Sequence, residues 1–225
     1  MIPLRMAILD YQSGDDAESQ RRGQPRLKLF GGSRTEMWRV LADQIGGRYQ
    51  EGGLFRGHND RVIADVPPWR VVLDTYTDSD DNTRYTRMRA PYVNADGFRF
   101  TIYRKGPLTG LGKLLGLQDV EVGYPVFDET FVIKGNDEEK LRRLFANERL
   151  RLLIEAEPDI YLSVQDDDGL FNRFPEGVDQ LCFVAGSLIT DIVRLKLLYD
   201  LFAETLQTLC QIGSAYEDDP RARAG

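Results

Sequence analysis

The feature that most restricts the possible folds of this chain is a predicted long helix near its C-terminal end. Asp191 stands where a helix N-cap is expected, and Gly213 follows as a helix terminator. Between them, apolar residues recur at helical spacing: Leu195, Leu198, Phe202, Leu206 and Leu209. Because a continuous apolar stripe has to be buried against another element, the sequence predicts a long helix that lies across a sheet, with these side chains buried.

Strand signals occupy the middle of the chain and arrive in runs. Alternation of side-chain character predicts strands within residues 69–76, 98–103, 160–164 and 181–185. Since the strands do not alternate one by one with helices, the pattern favours an α+β fold over a doubly wound α/β fold. The predicted architecture is an antiparallel, twisted sheet with helices packed on it, including the long C-terminal helix.

Two further helices are marked by capping-box spacing, in which a pair of residues satisfies free backbone N–H groups. Ser33 and Glu36 mark the first helix, and Asn136 and Glu139 mark the second. Helices and strand runs then follow in a similar order in the two halves of the chain, which suggests an internal duplication.

The chain divides into one domain and two polar ends. Residues 10–25 are nearly free of aliphatic side chains, and residues 217–225 are similarly polar. Such segments cannot bury enough apolar surface to order themselves. The sequence therefore predicts a mobile arm over residues 1–26, a single α+β domain over residues 27–215 and a mobile tail over residues 216–225.

Composition limits the classes of partner and the compartment. The 225 residues carry 36 acidic against 29 basic side chains, a formal net charge of -7. A duplex-binding protein normally carries the opposite balance, so nucleic acid is an unfavoured partner. The two cysteines do not make a disulfide framework, and no apolar stretch reaches the ~18 residues of a membrane span. The cytoplasm is the predicted location.

No motif predicts a catalytic site, a metal site or a cofactor. The single histidine, His58, has Asp60 nearby, but no Gly-x-Ser-x-Gly elbow or Cys–His pair accompanies it. Residues 106–114 depart from a phosphate-binding loop at Pro107 and Leu114. The sequence therefore predicts no catalytic residue, no metal ligand and no cofactor, although a site assembled from distant residues would leave no motif.

The acidic run Asp78–Asn82 resembles the start of a calcium-binding loop. An EF-hand, however, needs glycine where Thr83 stands and a bidentate glutamate where Arg89 stands. We therefore expect titration calorimetry to show no specific calcium binding, and a stoichiometric site below about 10 µM would contradict this prediction.

The leucine-rich segment 108–117 has two interpretations. Its leucines, with Lys105 and Lys113 beside them, fit either a short amphipathic helix on a membrane surface or a loop helix packed onto the sheet. Packing onto the sheet is favoured, because stable anchoring at a membrane surface usually takes more than one weak signal.

The sharpest feature in the residues themselves is a basic face on a predicted hairpin. A turn at residues 95–97 would pair Asn94 with Phe98. The register then places on one face the residues Arg87, Arg89, Arg99, Tyr103 and Lys105. Such a cluster fits a site for an anion, a phospholipid head group or an acidic peptide. The alternative is a structural role, in which Asp74 or the acidic run lies within about 4 Å and neutralises the cations.

Residues 127–145, FDETFVIKGNDEEKLRRLF, resemble a recurrent segment of bacterial proteins grouped as domains of unknown function. Residues 85–106 and 111–123 resemble the same kind of protein. The resemblance covers about the middle half of the chain and implies a bacterial origin and a compact domain. It implies no activity and supplies no site residues.

Three functions stay open from the sequence. A non-enzymatic binding or protein-interaction module is favoured, with a protein partner or a second copy of the chain as its ligand. A peripheral module that binds an anionic membrane or lipid is the alternative. An enzyme with a dispersed active site is the third, since such a site would leave no motif.

Overall fold

The computed structural model describes residues 33–53, 59–77, 83–106, 118–166 and 174–217. Several sequence predictions lie outside these residues. They concern the N-terminal arm, His58, the acidic run Asp78–Asn82, the leucine-rich segment and the tail beyond residue 217.

The described residues form five helices and ten strands. The helices are α1 (Arg34–Gln44), α2 (Pro125–Thr130), α3 (Glu138–Phe145), α4 (Glu148–Ala156) and α5 (Ile192–Gln211). The strands are β1 (Arg48–Gln50), β2 (Arg61–Val66), β3 (Trp69–Thr77), β4 (Arg84–Asn94), β5 (Phe100–Arg104), β6 (Gln118–Asp119), β7 (Phe131–Gly135), β8 (Tyr161–Gln165), β9 (Val178–Ala185) and β10 (Ala215–Tyr216).

The strands make a single sheet in which every pair is antiparallel. Their spatial order is β1-β2-β3-β4-β9-β8-β5-β7-β6, and β10 pairs with the end of β4. The α+β class and the antiparallel sheet are therefore confirmed.

The core lies between the helices and one face of this sheet. Alternate strand residues such as Leu73, Met88 and Phe183 point into it and are fully buried. Helix α5 supplies the largest share from the helices, and its predicted stripe is confirmed: Leu195, Leu198, Phe202, Leu206 and Leu209 are at most 1% exposed. The side chain of Asp191 caps this helix by accepting a hydrogen bond from the Arg194 amide.

One of the two predicted capping boxes is correct. Ser33 accepts a hydrogen bond from the Glu36 amide, and the Glu36 side chain accepts one from the Ser33 amide. The cap of α3, however, is Asp137, whose side chain accepts from the Lys140 amide. Asn136 is instead used for a long-range contact, because its side chain accepts from the Arg99 amide at 2.9 Å.

The predicted hairpin between residues 84–94 and 98–105 is wrong, although its turn is present. The Asn94 side chain accepts from the amides of Asp96 and Gly97, and Gly97 has a φ of +72°. Strands β9 and β8 nevertheless stand between β4 and β5. Strand β9 pairs with one edge of β4 over Thr86–Val93, and β3 pairs with the other edge. Neither edge of β4 is therefore left for β5. The turn therefore begins a crossover rather than a hairpin.

A buried carboxylate holds this crossover. Asp179 at the start of β9 accepts a hydrogen bond from the Asn94 side chain at 2.6 Å and another from Arg99 Nε at 3.1 Å. A buried carboxylate needs such partners, because an unpaired charge away from water is costly. Because of this contact, Arg99 lies at Asp179 and not beside Arg87 and Arg89 of β4.

Candidate functional site on the helix-free sheet face

The sheet has a second face, opposite the core, which none of the five described helices covers and which we call the helix-free face. Six of its apolar residues are buried but do not belong to the core cluster: Ile63, Tyr85, Val93, Tyr161, Val178 and Cys182. Among the described residues, the helices contribute to the core on the other side of the sheet. Because side chains alternate along each strand, the strand registers determine which residues share the helix-free face.

One half of this face is rich in arginine. Residues directly opposite each other in β1, β2, β3 and β4 place seven charged side chains together: Arg48, Arg61, Arg70, Arg87, Arg89, Asp65 and Asp74. We call these residues the basic half. Its five arginines stand against two aspartates, so the described part of this surface has an excess of positive charge. The excess contrasts with the net charge of -7 of the whole chain.

Asp74 is at the centre of the basic half. Arg87 donates to it through both Nε and Nη2, at 2.9 and 3.0 Å, and Arg89 donates through Nη2 at 2.5 Å. Arg61 stands opposite Asp74 on β2, but donates from Nε to Gln50 at 2.7 Å. Burial lowers the pKa of Arg87, but hydrogen bonding and attraction to Asp74 outweigh it and raise that pKa above its ordinary value.

Arg89 is incompletely satisfied. Its Nε is buried, and no atom of the described residues accepts a hydrogen bond from it. Buried donors are nearly always paired, and an unpaired one costs about 1–3 kcal/mol. The side chain as a whole keeps 24% of its surface exposed, so it is reachable from outside.

The middle of the helix-free face, over β9, β8 and β5, carries no charged side chain at its described strand positions, and the ion pair of Lys134 with Asp119 lies beyond it on β7 and β6. Over β9, β8 and β5 the described strand positions of this face carry apolar, hydroxyl, amide and phenol side chains. Cys182, Ser163 and Thr101 stand directly opposite each other and are buried. The rings of Tyr103 and Tyr161 stack at 6.2 Å. We call this surface the uncharged half.

Cys182 joins the two halves, because it stands opposite Arg89 across the β4–β9 pair. Burial raises the pKa of its thiol, and although Arg87 and Arg89 act against that rise the pKa is about 11. The group is therefore a neutral thiol near pH 7, and it has little of the thiolate character that a nucleophile needs.

A thiol-reactivity prediction follows. In a Cys210→Ser variant, which leaves Cys182 as the sole thiol, we expect reaction with a thiol reagent at pH 7 to be at least about tenfold slower in the native protein than in urea. Equal rates would show that Cys182 is exposed. The complementary Cys182→Ser variant is the control, because Cys210 is only half-buried.

The five residues predicted as a basic cluster do not lie in one place. Arg87 and Arg89 lie together on Asp74, and Tyr103 belongs to the uncharged half. Arg99 instead contacts Asp179 at 3.1 Å and Asp166 at 2.8 Å. Lys105 donates from Nζ to the backbone carbonyl of Asp128 at 2.8 Å. The structure thus divides the cluster, and the three arginines each have the carboxylate that a structural role requires.

Three arginines of the basic half were not found from the sequence: Arg48, Arg61 and Arg70. They reach this surface through β1, β2 and β3, and only the last of these strands was predicted. Alternation is present in β2, where Val62 and Ala64 face the core while Arg61 and Asp65 do not. That alternation could have predicted β2 as a strand and placed Arg61 on the face opposite the core.

Two kinds of element are absent from the described part of the chain. No group of three or more His, Cys, Asp or Glu side chains is arranged to hold a metal ion. Nor does any helix there have the length and apolar character to span a bilayer.

Comparison with known proteins shows similarity in structure alone. No protein-family model matches the chain, and no curated protein matches it in sequence. The chain is similar to the crystal structure of the mycobacterial trehalose monomycolate transport factor A, with a TM-score of 0.50 and 9% sequence identity. The match covers 78% of this chain and 94% of that chain. At this identity, the likeness concerns the fold.

Proposed function

We propose that this protein is a non-enzymatic binding module that takes an amphiphilic ligand with an anionic head group on its helix-free face. The observation that supports the proposal most strongly is the division of that face. An arginine-rich half on β1–β4 adjoins an uncharged, partly aromatic half on β9, β8 and β5. An anionic head group fits the first half, and less polar parts of the same molecule fit the half-buried side chains of the second, such as Tyr103 and Val184.

The charge of the whole chain favours binding of single ligand molecules over adsorption to an anionic membrane. A net charge of -7 repels such a membrane. The attraction of the basic half is local, because exposed charges are screened beyond about 8–10 Å at physiological salt. The proposed ligand is therefore one lipid molecule whose head group reaches the arginines.

Two further observations support a binding role. The nucleophile on this face, Cys182, is buried and protonated at neutral pH, which fits a surface that holds its ligand without attacking it. The structural neighbour bears a name that assigns it to the transport of trehalose monomycolate. That name is a reason to test a lipid before an acidic peptide.

The test is calorimetric titration of the full chain with short-chain lipids below their micelle concentrations. We expect dihexanoyl phosphatidylglycerol to bind with one-to-one stoichiometry. We expect sedimentation onto phosphatidylglycerol vesicles to be weak, since a bilayer would have to give up a lipid. Failure of every short-chain lipid to bind would overturn the proposal.

A pair of matched variants locates the binding. Arg61→Gln removes one charge from the basic half, and Arg142→Gln removes one from an exposed ion pair on α3. We expect the first variant to weaken phosphatidylglycerol binding about three- to tenfold and the second to leave it unchanged. Equal effects would place the ligand elsewhere on the molecule.

A further inference from the structure

We infer that Arg89 is the residue that recognises the anionic group, that this group is a phosphate, and that Asp74 competes with it as an internal counter-ion. The inference rests on the proposed function, since it names the chemistry of the head group and the device that controls its binding. It concerns three side chains of the basic half: Asp74, Arg87 and Arg89.

The hydrogen bonds show which arginine is available. Arg87 uses the Nε and Nη2 edge of its guanidinium on the two oxygens of Asp74, at 2.9 and 3.0 Å, so this edge is occupied. Arg89 reaches the same carboxylate only through Nη2. Its Nε is buried and unpaired among the described residues. An oxyanion would satisfy this donor once the Arg89 side chain, which is 24% exposed, turns its Nε outward.

The charges favour a phosphate at this position. Two guanidinium groups share one carboxylate, so the trio keeps one formal positive charge where the side chains are at most 24% exposed. The nearest other carboxylate of the basic half, Asp65, contacts Arg70 at 2.8 Å. A phosphate group suits a guanidinium fork, because two of its oxygens accept two parallel N–H bonds, and such charge-assisted bonds are about twice as strong as neutral ones.

Asp74 then limits the affinity. A phosphate and the Asp74 carboxylate repel each other and compete for Arg89, so ligand binding has to weaken one of the three hydrogen bonds that Asp74 accepts. Neutralising Asp74 removes the competitor while an asparagine oxygen still accepts from Arg87. The Asp74→Asn variant is therefore expected to bind the anion more tightly than the natural protein.

The experiment compares variants of the full chain by calorimetry with dihexanoyl phosphatidylglycerol and dihexanoyl phosphatidylcholine. We expect Arg89→Gln to lower phosphatidylglycerol affinity about 10- to 100-fold, and Arg89→Lys to lose most of the same affinity because it lacks the fork. We expect Asp74→Asn to raise that affinity about fivefold or more. Arg142→Gln, in an exposed ion pair with Glu138 on α3, is the control and should leave the affinity unchanged.

A second measurement keeps the inference testable if Asp74→Asn does not fold. The Nε–H signal of Arg89 in the natural protein is followed by NMR while inorganic phosphate is added. We expect this signal to shift, with the signal of Arg142 on α3 as the reference, and we expect Arg89→Gln to remove the shifting peak.

The outcomes separate this inference from the proposed function. Equal binding of both lipids with no effect of Arg89→Gln would overturn the inference and leave a lipid-binding module. Failure of both lipids together with a phosphate-dependent shift of Arg89 would overturn the lipid role and support the anion site as one for free phosphate. No lipid binding and no shift at Arg89 would overturn both.

Discussion

Replacing Phe202 with alanine is expected to lower the free energy of unfolding by about 3–5 kcal/mol. The phenyl ring is fully buried in the middle of α5, within the core cluster shared by the helices and one face of the sheet. Its removal forfeits the transfer free energy of a large apolar group and leaves a cavity that the close-packed surroundings fill only in part. Urea melts of the purified protein measure the change.

The same helix supplies the control. Val193 is the second residue of α5 and is 68% exposed, so Val193→Ala should change the free energy of unfolding by less than about 0.5 kcal/mol. A loss below about 1 kcal/mol for Phe202→Ala would mean that the stripe is not packed as described, and that α5 is an exposed surface instead.

The double charge reversal Arg87→Glu/Arg89→Glu is expected to destabilise the protein by about 3–5 kcal/mol. Both arginines contact Asp74, and their side chains are only 18% and 24% exposed. The reversal removes both partners of a carboxylate and places two more carboxylates beside it, where water screens them poorly. Thermal or urea melts at neutral pH measure the effect.

Exposed ion pairs provide the control for this reversal. Arg142→Glu/Arg149→Glu changes the net charge by the same amount, but its arginines are 57% and 52% exposed in their pairs with Glu138 and Glu204. We expect it to cost about 1 kcal/mol or less per pair. Similar stabilities for the two double variants would contradict the central place of Asp74. For the same reason, ligand binding is better tested with neutral glutamine variants than with reversals.

The sequence predicted best where the local pattern and the tertiary packing agree. Helix α5 is an example, because its cap, its glycine terminator and its apolar stripe all indicate the same segment. The turn at residues 95–97 was also predicted correctly, since the Asn94 side chain and the positive φ of Gly97 are local features. Fold class followed from such elements, because strands in runs imply antiparallel pairing.

Strand neighbours could not be predicted in the same way. The turn after Asn94 is compatible with a hairpin and with a crossover, and the choice depends on β9, which is separated from β4 by more than eighty residues of chain. The buried Asp179 accepts hydrogen bonds from Asn94 and Arg99, which precede it by about eighty residues. No local sequence pattern indicates this contact.

The candidate site was only partly accessible from the sequence for the same reason. Arg87 and Arg89 were correctly placed together, because side chains at positions i and i+2 of one strand point to the same face. Arg99 and Lys105 were placed beside them through the wrong strand pairing. Arg61 was missed, since it joins the basic half only through the β2–β3 register with Asp74.

The central claim, that ligand binds on the helix-free face, is tested most directly by mapping the bound lipid on the protein by NMR. Amide and side-chain signals are recorded during titration with dihexanoyl phosphatidylglycerol. We predict that the largest shifts fall on the half-buried residues of β4, β9, β8 and β5, at Arg89, Val184, Gln165 and Tyr103, while exposed residues of α4 and α5 such as Leu152 and Val193 remain unchanged. Shifts concentrated on those helix residues, with Arg89 and Tyr103 unaffected, would contradict the claim.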